Sequence, residues 1–338
     1  MMYSALSELL RVTAKPGMLS LAGGLPAPES FPISIIDRLS HEVITKYQSK
    51  AFQYGPTNGV ETLRKEIAIW LKDRGMDVSS ESIGVTSGSQ GSLDCLGKIF
   101  IDNGDIIAVE SPTYIGAVDA FAPYGPSYAN IETDEEGAIP ESLEKILKTN
   151  KIKFVYLIPT FQNPTGKTIS LQRRRKIAKM IKKYKTLLVE DDPYNSLRYE
   201  GESIPPIQTL IPNNTIYLST FSKVLAPGLR IGFYTAPKEI AALMVAAKQS
   251  VDLHTNSFGQ YLAAEYLQTG DLKKHVPTIL KIYKSRRDAM LNALEKYFPH
   301  SFSWTHPEGG MFIWITGPDK FDALKTYWKA IEKNIAYV

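Results

Sequence analysis

Lys223 lies in a segment whose residue types could hold a covalently bound cofactor. The segment runs Ser219-Thr-Phe-Ser-Lys-Val-Leu-Ala-Pro-Gly-Leu-Arg-Ile-Gly232, so one short loop carries a primary amine, hydroxyls and a guanidinium. A lysine amine condenses with an aldehyde when it is partly desolvated and oriented. The apolar run Ile216-Tyr-Leu218 predicts a buried strand, and Thr220, Ser222 and Lys223 would emerge at its end. A lysine taken alone is usually a solvated surface charge. Whether Lys223 belongs to a cofactor site therefore depends on the other segments of the sequence.

Four other apolar runs also end in polar clusters. They are Ile83–Thr86 before Ser87-Gly-Ser-Gln90, Ile106–Glu110 before Ser111-Pro-Thr-Tyr114, Phe154–Pro159 before Thr160–Gly166, and Leu187–Glu190 before Asp191-Asp-Pro-Tyr194. Each run is short, almost uninterrupted in apolarity and followed by helical-looking sequence, which is typical of parallel strands buried on both faces. Ligands of open α/β sheets bind beyond the carboxyl ends of the strands. We therefore expect all five clusters to converge on one crevice.

In order and spacing, these motifs resemble those of the fold type I pyridoxal 5'-phosphate (PLP) enzymes. The similarity is to class I and II aminotransferases of the kynurenine, 2-aminoadipate and archaeal aromatic branch, and it covers almost the whole chain. Three further motifs contribute to it: Ala22-Gly-Gly-Leu-Pro26, Tyr54-Gly-Pro56 and Pro307-Glu-Gly-Gly-Met311.

The resemblance implies an α/β fold. A mostly parallel seven-stranded sheet would be sandwiched by helices, next to a smaller α+β domain. We expect a large PLP-binding domain at residues 40–238. The small domain would comprise residues 1–39 plus 239–338, include a strand near Met311-Phe-Ile-Trp-Ile315, and be incomplete at its C-terminal end.

The resemblance also implies roles for individual residues. Lys223 would bind PLP covalently and then move the α-proton of the substrate. Asp191 would pair with the pyridine nitrogen, which favours the ring as an electron sink. Asn163 and Tyr194 would donate to the phenolic oxygen, and Tyr114 would stack on the ring. Lys223, Asp191 and Tyr194 are thus the catalytic candidates, although Asp191 before a proline and the Asn163-Pro-Thr-Gly166 motif are also ordinary turn sequences.

The phosphate of PLP is expected at the start of a predicted helix from Gly91 to Phe100. Free amides and the helix dipole favour an anion there. A guanidinium suits phosphate because it offers several donors in a fixed fork. The expected phosphate ligands are Ser89, Gln90, Thr220, Ser222 and Arg230.

Three other residues bear on the substrate and on assembly. Gly24 and Leu25 resemble the loop that lies over the substrate, where glycine permits close backbone approach, although the loop could equally be a plain turn. Asn163 would also contact the substrate. Tyr54 resembles the tyrosine that reaches the phosphate of the neighbouring subunit, which implies a homodimer with shared sites. The other partners would be a small-molecule amino acid and a 2-oxo acid.

Composition limits the alternatives. The 338 residues, 43% of them hydrophobic, can bury a large core and a smaller one. The net charge of +4 is dispersed, and we interpret Arg173-Arg-Arg-Lys176 and Lys182-Lys183 as the solvated face of a helix rather than a nucleic-acid contact. The single cysteine, Cys95, excludes an intrachain disulfide and suits a reducing cytoplasm.

Other function classes are not favoured. No apolar run approaches the length of a membrane span, and the first residues lack the pattern of a signal peptide, so we expect a cytoplasmic protein without membrane contact. The five histidines show no metal-ligand spacing, and no Gly-x-Ser-x-Gly hydrolase motif is present. We expect no metal.

The predicted function is therefore a PLP-dependent aminotransferase. It would move an amino group from an aromatic, 2-aminoadipate-like or broader range of L-amino acids to a 2-oxo acid, expected to be 2-oxoglutarate, by a ping-pong mechanism. The alternatives are a PLP-dependent lyase on the same scaffold and a PLP-binding but inactive fragment. Transcription regulators with a related domain carry a winged-helix domain ahead of the Ala22–Pro26 loop, and only 21 residues precede it here.

Two departures from the family pattern bear on the substrate. The family's arginine for the substrate α-carboxylate lies beyond the strand expected near Ile335-Ala-Tyr-Val338, where this chain stops. Ser7 stands where relatives often carry an arginine that contacts the distal carboxylate of acidic substrates. The second departure favours an aromatic or broad-range donor.

Overall fold

The computed structural model describes residues 17–337 as helices and strands joined by short loops. The strands are β1 (Leu19–Ser20), β2 (Ile83–Ser87), β3 (Ile106–Glu110), β4 (Ser127–Ile131), β5 (Thr133–Asp134), β6 (Gly137–Ala138), β7 (Ile152–Leu157), β8 (Leu188–Asp191), β9 (Thr215–Thr220), β10 (Ile231–Thr235), β11 (Ser303–Trp304), β12 (Ile315–Thr316) and β13 (Ile335–Ala336). The α-helices are α1 (Ile33–Tyr47), α2 (Glu61–Lys72), α3 (Gly88–Phe100), α4 (Ile115–Phe121), α5 (Pro140–Thr149), α6 (Leu171–Lys183), α7 (Lys238–Asp252), α8 (Ser257–Gln268), α9 (Asp271–Tyr297) and α10 (Ala323–Glu332).

A seven-stranded sheet in the order β2-β10-β9-β8-β7-β3-β4 forms the centre of the fold. Its strands pair in parallel except β10, which is antiparallel to β2 and β9. The five apolar runs of the sequence correspond to β2, β3, β7, β8 and β9. The mostly parallel sheet is therefore confirmed, and the carboxyl ends of these five strands lie at one edge.

Successive strand residues point to opposite faces of the sheet. Since the residues on both faces are apolar, helices cover both faces. Val189 and Ile216 pack in a core with residues of α3, α4 and α7. Tyr217 packs on the other face with residues of α1, α2 and α8. Leu188 also lies on that face, against α5 and α6. A sheet buried on both faces explains why its strands are almost continuously apolar.

The first and last described segments meet in a small sheet. Leu19 and Ser20 of β1 pair in parallel with Ile335 and Ala336 of β13. This pairing joins the two parts of the expected small domain, although its division from the large domain at residues 40 and 238 stays a prediction.

The strand predicted over Met311–Ile315 is largely wrong, since only Ile315 and Thr316 form β12. The preceding backbone is bent instead of extended. Gly310 has a φ of +75°, and Gly309 makes an isolated bridge to Arg198. The bend brings Phe312 against Tyr194, so this segment contributes to the site rather than to a sheet.

The predicted helix from Gly91 to Phe100 is present with a shifted start, since it begins at Gly88 and ends at Phe100. Within residues 17–337, no helix combines the length and the apolarity needed to cross a membrane.

The basic cluster on α6 is solvated only in part, so that interpretation needs correction. Arg173 pairs with Asp134, and Lys176 pairs with Glu141. Arg174, however, is fully buried, because it occupies the same helix face as the buried Ile177 and Ile181.

Candidate active site

Lys223 projects from the turn that joins β9 to β10. Its Nζ donates a hydrogen bond to the Gly24 carbonyl oxygen at 2.9 Å and lies 5.9 Å from the ring centre of Tyr194. Burial, together with a smaller effect of the nearby charge of Arg230, lowers the pKa of this amine to about 8. About a tenth of the amine is therefore unprotonated at pH 7, far more than for an ordinary lysine, and the unprotonated form is the nucleophile.

Asp191 ends β8 as a buried carboxylate. Its Oδ2 accepts a hydrogen bond from the Tyr156 hydroxyl at 2.8 Å, whereas its Oδ1 is buried without a partner among residues 17–337. Burial raises the pKa of Asp191 to about 7, opposed by the Tyr156 hydrogen bond. Buried polar atoms are nearly always hydrogen-bonded, so the free Oδ1 is suited to a donor that a ligand supplies.

Asn163 and Tyr194 form a pair of donors. The Asn163 Nδ2 lies 3.4 Å from the Tyr194 hydroxyl oxygen, which is a long hydrogen bond. Burial raises the pKa of Tyr194 well above its usual range, so the phenol stays protonated and able to donate. Phe312 packs edge-on against the Tyr194 ring, with 5.7 Å between ring centres.

Tyr114 lies immediately before α4 and is half-buried. A Cβ on Gly116 would come within 2.4 Å of the Tyr114 ring, so glycine is required for this ring position. Burial raises the pKa of Tyr114, and the negative charge of Asp191 raises it further. This coupling is consistent with a ring placed near the Asp191 carboxylate.

The start of α3 offers an anion site. Ser89 and Gln90 lie in its first turn, whose amides are free of intrahelical partners. A Cβ on Gly88 would lie 2.3 Å from Arg230 Nη2, so the guanidinium packs directly on the helix start. Arg230 Nη2 also donates to the Ser87 carbonyl oxygen at 3.1 Å. The Gln90 side chain donates one of its two amide hydrogens to the Gly116 carbonyl oxygen at 2.7 Å.

Two hydroxyls belong to the same end of the site. Thr220 Oγ1 and Ser222 Oγ are 2.9 Å apart, and the Ser222 amide donates to Thr220 Oγ1. Thr220 ends β9, which pairs with β10 directly after Arg230. These hydroxyls therefore lie on the loop that also carries Lys223.

These residues fit PLP. Lys223 would supply the amine for its aldehyde, Asp191 a free oxygen for its ring nitrogen, and the start of α3 the amides for its phosphate. Asp191 Oδ1 has no partner among residues 17–337, and a cation or donor supplied by PLP would satisfy it, although Asp192 Oδ1 likewise has no partner there.

Comparison with known proteins agrees with this fit. Residues 28–338 match the family model described as aminotransferase class I and II. The chain belongs to this family. It is 46% identical to an aromatic-amino-acid aminotransferase of Thermococcus litoralis, over all of this chain and 83% of that protein. The family, the fold type I architecture, the PLP cofactor and the aminotransferase class predicted from the motifs are thereby confirmed.

Two solved structures are similar to this chain. The kynurenine aminotransferase of Pyrococcus horikoshii, in complex with PMP, KYN and KYA, is 47% identical with a TM-score of 0.96, over 100% of this chain and 85% of that one. The alpha-aminoadipate aminotransferase of Thermus thermophilus, complexed with N-(5'-phosphopyridoxyl)-L-leucine, is 37% identical with a TM-score of 0.92, over 99% and 84% of the respective chains.

The predicted substrate loop of the aminotransferase lies over the lysine. Gly24 has a φ of +58°, and a Cβ there would come within 2.5 Å of the Phe312 ring. The loop and Phe312 are thus in direct contact above the Lys223 amine. Leu25 is largely exposed. Ser7 lies outside the described residues.

Tyr54 lies apart from the other candidates. It is 77% exposed and packs edge-on against His254, in an open cleft of about 430 Å³ that Phe52 and Phe258 also line. Its predicted role toward a neighbouring subunit stays a prediction.

Sequence reasoning missed three residues of the aminotransferase site: Tyr156, Phe312 and Arg174. The Arg174 guanidinium binds the Ile169 carbonyl oxygen at 2.9 Å and the Pro159 carbonyl oxygen at 2.8 Å, at the two ends of the loop that carries Asn163. Its position on the apolar face of α6, three residues before Ile177, was a signal that could have identified it.

The lowered pKa of Lys223 predicts a distinct pH dependence of its chemical reactivity. In the cofactor-free protein, reductive alkylation of Lys223 by formaldehyde should rise through about pH 8 and then level off. Ordinary exposed lysines, which serve as the internal control, should continue to gain reactivity toward a pKa of about 10.4. Peptide mass spectrometry measures both. A Lys223 profile identical to that of the surface lysines would contradict the assignment.

Proposed function

We propose that this aminotransferase transfers the amino group of an L-amino acid with an aromatic or 2-aminoadipate-like side chain to a 2-oxo acid, with 2-oxoglutarate as the expected acceptor. The relatives' names support this choice, since they include aromatic-amino-acid, kynurenine and alpha-aminoadipate aminotransferases. The amino group would leave the donor in one half-reaction and reach the acceptor in the next, giving ping-pong kinetics.

The observation that carries this proposal is the aromatic contact above the reactive amine. Phe312 touches both Tyr194 and the Gly24 loop, and the Gly24 carbonyl oxygen accepts from Lys223. A donor amino acid bound near Lys223 would therefore place its side chain beside aromatic surface. Such surface favours an aromatic ring over a short charged side chain, so we rank aromatic donors first.

Each residue would then have a defined task. Bound PLP supplies an aldehyde that condenses with amines and a ring that accepts the electrons released at the substrate's α-carbon. The Lys223 amine would move the α-proton, and its pKa of about 8 suits a general base near neutral pH. Asp191 would supply a negative charge for the ring nitrogen, and Asn163 and Tyr194 would donate to the ring oxygen. The start of α3, with Thr220, Ser222 and Arg230, would bind the phosphate.

We also propose a cytoplasmic homodimer with shared sites. The cleft beside Tyr54 exposes the aromatic rings of Tyr54 and Phe52, and such exposed rings favour coverage by another protein surface. The resemblance of the Tyr54-Gly-Pro56 motif points to a second copy of this chain. The buried free thiol of Cys95 suits a reducing compartment.

A half-reaction assay tests the donor class. The PLP-loaded protein is mixed with single amino acids, namely tyrosine, phenylalanine, 2-aminoadipate, glutamate, leucine or alanine, without an acceptor. We expect one equivalent of 2-oxo acid per site, fastest with an aromatic donor, and renewed turnover when 2-oxoglutarate is added. Lys223→Ala should reduce the rate by about 10²- to 10⁴-fold, whereas Lys182→Ala on the exposed face of α6 should not.

Other results of the same assay would contradict the proposal. Continuous release of 2-oxo acid with ammonia, in the absence of an acceptor, would indicate a lyase. A loaded protein whose cofactor absorbance no amino acid changes would indicate a PLP-binding but inactive chain.

Hybrid dimers test the shared site. Lys223→Ala chains and Tyr54→Ala chains, each weakly active alone, are unfolded, mixed in equal amounts and refolded together. If Tyr54 serves the neighbouring subunit, each hybrid contains one intact site, so roughly a quarter of all sites regain function in a random mixture. Activity that stays at the mean of the two parents would show that Tyr54 serves its own subunit or none.

A further inference from the structure

Two consecutive carboxylates, Asp191 and Asp192, lie at the end of β8. Each accepts a hydrogen bond from a tyrosine hydroxyl on a neighbouring strand. Tyr156 of β7 donates to Asp191 Oδ2 at 2.8 Å, and Tyr217 of β9 donates to Asp192 Oδ2 at 2.9 Å. Both tyrosines are fully buried, and they belong to cores on opposite faces of the sheet. The two pairs are therefore close geometric equivalents, and only Asp191 faces the cofactor-binding residues.

The two carboxylates differ in how their charge is compensated. Arg74 and Arg174 stabilise the ionised form of Asp192. The groups that act on Asp191 are the Tyr156 hydroxyl, which favours its ionised form, and the negative charge of Asp192, which opposes it. Asp191 also faces the phenols of Tyr114 and Tyr194, both of which stay protonated because burial raises their pKa values. Tyr156 is thus the principal stabiliser of a negative charge on Asp191.

The Tyr156 ring is held in a fixed position. Phe121 packs edge-on against it, with 6.1 Å between ring centres and an interplanar angle of 84°. Burial raises the pKa of its phenol well above the usual range, so the hydroxyl stays protonated and donates across the neutral pH range. A fixed donor on Oδ2 also fixes the carboxylate plane and leaves Oδ1 as the free oxygen.

We propose that Tyr156 is a positioning residue for the cofactor, which favours the ionised form of Asp191 and directs its Oδ1 toward the ring nitrogen of PLP. Tyr156 would act only through Asp191. Its removal would leave a buried carboxylate without its donor, so the neutral form of Asp191 would persist to higher pH. A neutral Asp191 attracts a protonated ring nitrogen much less, so PLP binding would weaken.

The test compares Tyr156→Phe with the matched control Tyr217→Phe. The dissociation constant of PLP is measured for each cofactor-free protein by fluorescence titration across the neutral pH range. Because a hydrogen bond to a charged group is lost, Tyr156→Phe should weaken PLP binding about tenfold to a hundredfold near neutral pH. The pH below which binding weakens should also move upward, since the pKa of Asp191 rises. Tyr217→Phe should retain both the wild-type affinity and the wild-type pH profile.

A second replacement changes donor strength in the opposite direction. Substituting 3-fluorotyrosine at position 156 keeps the hydroxyl and makes it a stronger donor, so the pH midpoint of PLP binding should move downward. The proposal is overturned if Tyr156→Phe binds PLP with wild-type affinity and pH profile, if both phenylalanine variants lose affinity equally, or if 3-fluorotyrosine leaves the midpoint unchanged. These measurements use PLP alone, so they do not depend on which amino acid is the donor.

Discussion

The site depends on a carboxylate buried at the end of a central strand. Asp191 is removed from water, receives one hydrogen bond, and keeps one oxygen without a partner. Such a group is costly unless a ligand completes it, because desolvation disfavours the charged form. PLP carries a ring nitrogen that can pair with the unpartnered oxygen of Asp191. The other parts of the site are the Lys223 amine, on the turn after β9, and the anion site at the start of α3.

The sheet supplies that arrangement. Asp191, Lys223 and the start of α3 follow three different strands, and the sheet order places β8, β9, β10 and β2 side by side. The antiparallel β10 returns the chain from the lysine loop, so that Arg230 lies on the helix start at Gly88. Backbone pairing thereby fixes the carboxylate on its strand and anchors both ends of the turn that carries the amine, as a preorganised site requires.

Much of the fold and of the candidate site could be predicted from the sequence. The residues that were missed or wrongly assigned have physical explanations. The apolar runs before Asp191 and Lys223 predicted the strands, because strands buried on both faces lack polar residues. Tyr156 was missed because a tyrosine within such a run looks like core, and only the pairing of β7 with β8 brings its hydroxyl to Asp191. Phe312 was assigned to a strand because its neighbours are apolar, although the bend at Gly310 turns it into the site.

The most direct test of the account is the protonation state of the cofactor's ring nitrogen in the loaded enzyme. PLP labelled with nitrogen-15 at the ring is bound to the wild-type protein and to Asp191→Asn, and its chemical shift is followed by NMR across the neutral pH range. The account predicts a nitrogen that stays protonated in the wild type and loses its proton in the variant, since a paired carboxylate favours the charged ring. A wild-type nitrogen that is unprotonated, or that titrates as in free PLP, would contradict it.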